Sequence, residues 1–446
     1  MTTKAEQLFK DFPTISQKEW VEKIEKDLKG KSIDLLNYAP ELGIETKAYF
    51  HSEDNIKPNE LEAFDSNDWF IQENFSGNDN KKIIEHLQVG CDSVQIDADD
   101  STHYKKLFTD VKLEFISTEF KYKSACNWNN LNTFLSNNKS ENVSISFPVL
   151  TLGTEKGKWN NTLAEFSQFH KSLLNSEART IHIDGFTLGL AGASTIQELA
   201  FSLAQLSEYT QHLLSENYTL EEIANSFYST LSVNDDYFTN IAKFRAYQLL
   251  LNHFFEDFEE GFWLENSIVN GQTNYRHITK NDRYNNLLRS TTQAMSAILG
   301  GCANLLITPF DKSNEISERM ARNIQLVIKE EAYFDKVNDP SNGSYYIEDL
   351  TNQLVKKAWS LFLEIENEGG YIKAMESNFI QTEIDKNKTL LIDKLNSNEK
   401  MLLGINTYKS TLEDWIDVKK PSKTRGHFKA LTPFILENHY IKSTQK

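Results

Sequence analysis

From about Ile83 onward the sequence switches repeatedly between short runs of period two and longer runs of helical period, and this alternation narrows the choice of fold more than any other feature. Strands are expected near Ser93 to Ala98, Leu113 to Ser117, Val143 to Pro148, Thr180 to Asp184, Phe227 to Val233, Tyr275 to Thr279 and Ala303 to Thr308. Helices fall between several of them, most plainly at Thr195 to Leu213, Tyr237 to Phe255 and Tyr284 to Leu299. Strand and helix in alternation build βα units and a parallel sheet. Seven such strands, with room for an eighth near Ser344 to Ile347, suit a closed (β/α)8 TIM-type barrel better than an open sheet.

The strands alternate in an unusual way for a barrel, whose interior is ordinarily packed with branched apolar residues. Val94 and Ile96 alternate with Ser93, Gln95 and Asp97; Val143, Ile145 and Phe147 with Ser144 and Ser146; Ile181 and Ile183 with His182 and Asp184; Leu231 and Val233 with Thr230 and Ser232. If the apolar set packs outward on helices, the polar set lines the axis, and a barrel so lined could admit a long polar ligand or water. Half-exposed strands of an antiparallel sheet have the same period, but the intervening helices argue against them.

Residues 1–80 read as an arm. A helix over Gln17 to Leu28 stops at Lys29-Gly30, a basic last turn followed by glycine, and the stretch through Pro40, Gly43, Asp54 and Pro58 is turn-rich and extended. Without a core of its own, such an arm must lie on the same chain or on a partner. The barrel is expected over residues 81–350, and residues 351–446 form a C-terminal helical segment with runs at Gln353 to Glu366 and Tyr371 to Lys386.

Acidic residues outnumber basic ones, 64 to 47, and the net charge of −17 repels a phosphate backbone, so nucleic acid is not an expected partner. No apolar run is long enough for a membrane span and the start is polar, which points to a soluble, cytoplasmic protein. Cys91, Cys126 and Cys302 are odd in number and far apart, so they offer neither a disulfide framework nor a metal clip and are expected to stay reduced and buried.

Several segments resemble the methylmalonyl-CoA mutase family. Trp20 to Gly30 and Leu36 to Asp54 are similar to its N-terminal arm, with Phe50 in place of a tyrosine. Asp184-Gly185-Phe186-Thr187-Leu188-Gly189-Leu190-Ala191-Gly192-Ala193-Ser194, continuing through Gln197 to Ala200, is similar to its central strand and helix. The likeness continues at Ile241 to Ala246, Tyr284-Asn285-Asn286 with Arg289, Gly300-Gly301, Ala321-Arg322-Asn323 with Gln325, Asp339-Pro340 before Gly343 to Tyr346, and Gly404-Ile405-Asn406 with Tyr408. Each is weak alone; in this order, over nearly the whole chain, they are specific.

The resemblance implies a barrel whose axis takes acyl-CoA in the catalytic subunits, and adenosylcobalamin chemistry that interconverts methylmalonyl-CoA and succinyl-CoA. Four departures bear on function. The Asp-x-His-x-x-Gly motif that supplies the cobalt ligand is missing around all ten histidines. Thr187 replaces the histidine that contacts the thioester carbonyl, and a threonine hydroxyl cannot carry a proton as imidazole does. After Arg276 and the matching His277, a glutamine-bearing loop is shortened, and near Phe70 to Phe75 the Arg-Gln-Tyr of catalytic chains is not found. Thr187, Arg276 and His277 are therefore degenerate substrate-site positions, and no catalytic, cofactor-binding or metal-ligating residue is assigned.

These losses together match the family's small subunit, which pairs as a heterodimer with a large catalytic subunit carrying the adenosylcobalamin. Trp20, Lys29, Gly30 and Tyr49 of the arm are the interface candidates. Two other functions compete: a catalytic barrel served by a cobalamin domain on another chain, which Thr187 and the short loop disfavour, and a freestanding acyl-CoA-binding or mutase-protecting barrel. Among the remaining candidates, His182 with Asp184 reads as a buried polar contact, Glu256, Glu259 and Glu260 as a solvated helix end, and Gly300-Gly301 as a helix cap.

Overall fold

The computed structural model describes residues 14–59, 61, 67–122, 128–147, 149–159, 161–265, 267–280, 282–311, 314–408 and 426–444. Eight parallel strands form one sheet: β1 (Phe70–Ser76), β2 (Ser93–Ala98), β3 (Ser117–Tyr122), β4 (Val143–Ser146), β5 (Ile181–Asp184), β6 (Phe227–Val233), β7 (Val269–Thr273) and β8 (Asn304–Leu306). Neighbours pair in chain order, and β8 returns to pair with β1. Between β4 and β5 closure is made by one residue: Arg179 donates its backbone N–H to Val143 and accepts from Ile145, at 2.9 and 2.8 Å. The chain is a (β/α)8 barrel.

The outward positions are those expected. Val94, Ile96, Phe120, Val143, Ile145, Ile181, Ile183, Leu231 and Leu305 are all fully buried, packed between the sheet and its helices. The helix Thr195–Ser215 starts with a capping box, in which Ser194 and Gln197 exchange bonds, and Tyr237–Phe258 and Asn285–Leu299 complete the wall beside β5 to β8. Asn285–Leu299 ends in Gly300-Gly301, with Gly301 at φ +86°, so this pair is a helix cap.

Three expected strands move. Leu113–Phe115 is a short 3-10 turn with Phe115 on the surface, and β3 follows it, with Thr118, Phe120 and Tyr122 buried in one phase and Glu119 in the other. The segment Tyr275 to Thr279 is a turn after β7. The sequence of β7, Val-Asn-Gly-Gln-Thr, escapes the pattern because its outward position is Gly271, where a Cβ would come within 3.3 Å of both Leu305 and Phe244. Ser344 to Ile347 is no strand; it opens the helix Tyr345–Asn367. The missing strand is β1, inside the stretch expected to be arm, so the barrel begins by residue 70. Its outward face carries Glu73 between Ile71 and Phe75, and that buried acid breaks the alternation.

The extended part of the arm lies on this chain's own barrel. Glu41 accepts from the backbone N–H groups of Thr195 and Ile196 at 2.9 and 3.1 Å, Gln353 donates to the Glu45 carbonyl at 2.8 Å, and Asn59 donates its N–H to Glu348 at 3.0 Å. The helix Gln17–Asp27 buries no residue. At the other end, the expected run Tyr371 to Lys386 divides at Asn378, φ +63°, into Tyr371–Glu376 and Phe379–Asn396. Residues 428–436 then cross the C-terminal ends of the strands, bonding by backbone to Gly157, Thr154, Leu190 and Arg276 in turn. Cys91 and Cys302 are buried free thiols whose pKa burial raises; Cys126 lies outside the described residues. No helix among the described residues is long and apolar enough to cross a membrane.

Candidate functional site

Parallel register sorts the inward residues into layers. Asn74, Gln95, Glu119 and Ser144 stand in one row, and Ser76, Asp97, Lys121 and Ser146 in the row nearer the C-terminal mouth. In the lower row Asn74 donates to Gln95 and Gln95 to Glu119, both at 2.8 Å. The Tyr228 hydroxyl on β6 then donates to the other Glu119 oxygen, at 3.1 Å. Tyr228 stacks on His182, whose Nδ1 lies 2.8 Å from Ser146 Oγ and whose Nε2 lies 3.0 Å from Thr230 Oγ1. Burial and the neighbouring Glu119 push the Tyr228 phenol well up, so it stays a neutral donor; burial likewise depresses His182. The polar lining read from the strands is present, but its side chains bond to one another across the axis. At this level the protein's own groups close the bore.

Above that floor a cavity of about 670 Å³ opens at the C-terminal mouth, on the side of β8, β1, β2 and β3. Its walls include Gln72, Lys121, Gln272 and, from the helix Glu315–Leu326, Arg322. Arg322 donates through Nη1 to Glu73 at 2.8 Å, and Glu73 lies 2.9 Å from His86 Nδ1; Lys82 pairs with Glu318 at 3.1 Å. Burial acts to discharge Lys121, but Asp184, Glu119, Glu155 and Asp97 outweigh it and raise its pKa, so the ammonium is kept.

None of the three degenerate positions lines this cavity. Thr187 turns back into its own helix, its N–H and hydroxyl both bonding Asp184, at 2.9 and 2.8 Å. His182 and Asp184 thus share the barrel interior while each bonds elsewhere. Arg276 donates to the carbonyls of Gly189 and Ala193, the latter at 2.9 Å, which ties the turn after β5 to the exit of β7. His277 Nε2 lies 3.1 Å from Asp235 Oδ1, and Lys400 Nζ lies 2.7 Å from the other oxygen. Burial pushes His277 down to about 3 against the opposing pull of Asp235. Asp235, which burial would raise, is held well below the usual carboxylate range by His277 and Lys400. Arg276 and His277 border a second, smaller cavity of about 320 Å³, roofed by Tyr38 and Glu41 of the arm.

The interface candidates lie at the surface of the arm, Trp20 and Tyr49 half-buried. The Trp20 and Tyr49 rings meet edge to face with centroids 3.8 Å apart, and Lys29 and Gly30 lie exposed at the end of the first helix. Ile15, Leu35, Leu36, Tyr38 and Leu42 are exposed along the same arm, between 45% and 67%. The residues that the sequence reading missed, Glu119, Lys121 and Tyr228, belong to a strand read a few residues early and to the polar phase of β6. Their signal is the polar alternation itself.

Eight parallel strands, a polar interior and a cavity at the C-terminal mouth define the class: a ligand-binding type of (β/α)8 barrel. Comparison with known proteins gives the family. The methylmalonyl-CoA mutase profile matches residues 160–432, and the chain belongs to the methylmalonyl-CoA mutase family. It is 29% identical to the methylmalonyl-CoA mutase small subunit of Porphyromonas gingivalis over 93% of this chain and 73% of that protein. It is 34% identical to the methylmalonyl-CoA mutase of Rhizobium meliloti over 54% of this chain, and 32% identical to the human mitochondrial enzyme over 57%. In those two the match spans only 34% of the relative's length.

Adenosylcobalamin, which the family implies, has no fully open seat at the mouth. Residues 428–436 lie across part of that face, bonding by backbone to Leu190 and Arg276. No group of three or more His, Cys, Asp or Glu side chains among the described residues could hold a metal ion. No chemical step is assigned to cobalamin in this chain.

Proposed function

We propose that this chain is the non-catalytic small subunit of a heterodimeric, adenosylcobalamin-dependent methylmalonyl-CoA mutase. The interconversion of methylmalonyl-CoA and succinyl-CoA belongs to a larger partner that carries the cofactor. The observation that carries this reading is the Tyr228–Glu119 hydrogen bond across the axis: a bore bridged by buried side chains cannot take an acyl-CoA chain without breaking that network. The orientation of Thr187 supports it, since its hydroxyl is turned to Asp184 and is not free to meet a thioester oxygen. Apolar side chains exposed along the arm supply a surface for the partner.

The test is co-expression with a large mutase subunit. A stoichiometric complex with mutase turnover, and none from this chain alone, is the expected result. Turnover by this chain mixed with a free cobalamin domain would overturn the reading in favour of a split enzyme.

A further inference from the structure

The mouth cavity has an imbalance of hydrogen-bonding groups that the subunit role does not explain. Its carboxylates are all engaged. Of those lining it, Glu73 is met by Arg322 and His86 and Glu318 by Lys82, and Asp97 and Glu155 also have partners. Its donors are not. Lys121 makes no hydrogen bond and no ion pair with any described residue. Arg322, 7% exposed, bonds only through Nη1, and its Nε has no partner. The amide of Gln72, 4% exposed, and that of Gln272 have no partner among the described residues; these two flank Leu306 in one register row.

Buried donors without acceptors are costly, and a cation more so than an amide. Asp184, Glu119, Glu155 and Asp97 act on half-buried Lys121 through their charge without bonding it, so what the cavity lacks is a guest rich in acceptors that can bond Lys121, Arg322 and the two amides directly. Its volume of about 670 Å³ falls inside the range of small-molecule pockets, and the hydrogen-bonded floor below shuts off the bore, which limits the guest to one that fits the mouth.

We propose that this cavity is a binding site for a small organic dianion, one acidic end taken by Lys121 on β3 and the other by Arg322 on the opposite wall, with Gln72 and Gln272 donating between them. A dicarboxylate and a phosphate ester share this chemistry. The proposal does not rest on the subunit reading: co-purification tests that one, and binding to the purified chain tests this one.

The experiment is calorimetric titration of the full chain with malonate, inorganic phosphate and the neutral diamide malonamide. Malonate, phosphate or both should bind saturably at millimolar concentration and malonamide should not; which anion binds distinguishes a carboxylate guest from a phosphorylated one. Lys121→Met, which keeps the length and removes the charge, should weaken binding at least about ten-fold. Gln72→Glu, nearly isosteric and repulsive to an anion, should do the same and decides the matter if Lys121→Met does not fold. No saturable binding of either anion, equal binding of malonamide, or unchanged affinity in the folded variants overturns the proposal.

Discussion

Tyr228 on β6 and Glu119 on β3 meet across the barrel axis at 3.1 Å, and this single bond joins two hydrogen-bonded halves of the interior. On one side are Asn74 and Gln95, on the other His182 with Ser146 and Thr230. A buried carboxylate that loses a donor is left under-satisfied, with a penalty of about 1–3 kcal/mol. Tyr228→Phe keeps the ring stacked on His182 and removes only the donor. The variant should lose stability by that amount in chemical denaturation, with an unchanged denaturant slope. A loss below about 0.5 kcal/mol would mean that water or another donor replaces the phenol, and that the floor of the cavity is looser than described.

That network also marks the limit of what the sequence discloses. The polar phase of β2, β4, β5 and β6 is visible as alternation, and its inward direction follows from the helices between the strands. Whether such a lining is open or closed depends on which side chains reach across, and Tyr228 is 109 residues from Glu119. No local pattern carries that information. β1 and β7 are hidden for a different reason. Each gives up an outward apolar position, one to Glu73, which pairs with Arg322 from a helix 249 residues away, and one to Gly271, which leaves room for Phe244. The positions Thr187, Arg276 and His277 stand out by resemblance, yet they do not line the mouth cavity; of its lining the resemblance includes Ala321, Arg322 and Gln325 but not Lys121, Gln72 or Gln272.

The arm separates into two parts with different expected roles. Residues 37–59 are fastened to the barrel through Glu41, Glu45 and Asn59, whereas the helix Gln17–Asp27 is held by contacts such as Gln17 with Asp54 at 2.8 Å and Trp20 with Tyr49. Deleting residues 1–31 removes no buried side chain described in the structure and should shift unfolding by no more than about 1 kcal/mol. If this surface of the arm is where the partner docks, the same deletion should weaken the complex with the large subunit at least about ten-fold in a sedimentation or surface-binding measurement. Full affinity after deletion would remove the arm helix from the interface. A deletion through residue 80 cannot answer the question, because it takes β1 with it.

Acid sensitivity should have an identifiable contributor in His170. Its side chain is buried, with Nδ1 2.6 Å from Thr180 Oγ1, and burial pushes its pKa down to about 4 from the ordinary value near 6.5. Below pH 6.5 the unfolded chain takes up a proton that the folded chain refuses, so stability is full above that pH and falls as the pH drops towards 4. At about 1.4 kcal/mol for each pH unit, the loss approaches ~3 kcal/mol by pH 4. His170→Gln should flatten the stability profile over this window, read as denaturation midpoints at several pH values. An unchanged slope would show that the imidazole is protonated in the folded state.

Thr187 is the position at which a silent subunit and a split enzyme diverge most clearly. An imidazole there would act only if it pointed at a substrate carbonyl, and removal of one such donor in an active site typically costs about 3 kcal/mol of transition-state stabilisation. In this chain the side chain at 187 points the other way: its hydroxyl and N–H hold the Asp184 carboxylate at the start of the helix Gly185–Leu190, and it does not border the mouth cavity. Thr187→His therefore loses the hydroxyl bond to Asp184, worth about 1 kcal/mol, and gains no substrate contact. Groups that act as a unit do not recover function singly, and the bridged bore remains in the variant. No conversion of methylmalonyl-CoA to succinyl-CoA is expected from the variant or the parent, each assayed without the large subunit and with a free cobalamin domain added. Activity in the parent would make the chain a split enzyme; activity only in the variant would mean that the bore opens to substrate and that a single donor was the missing part.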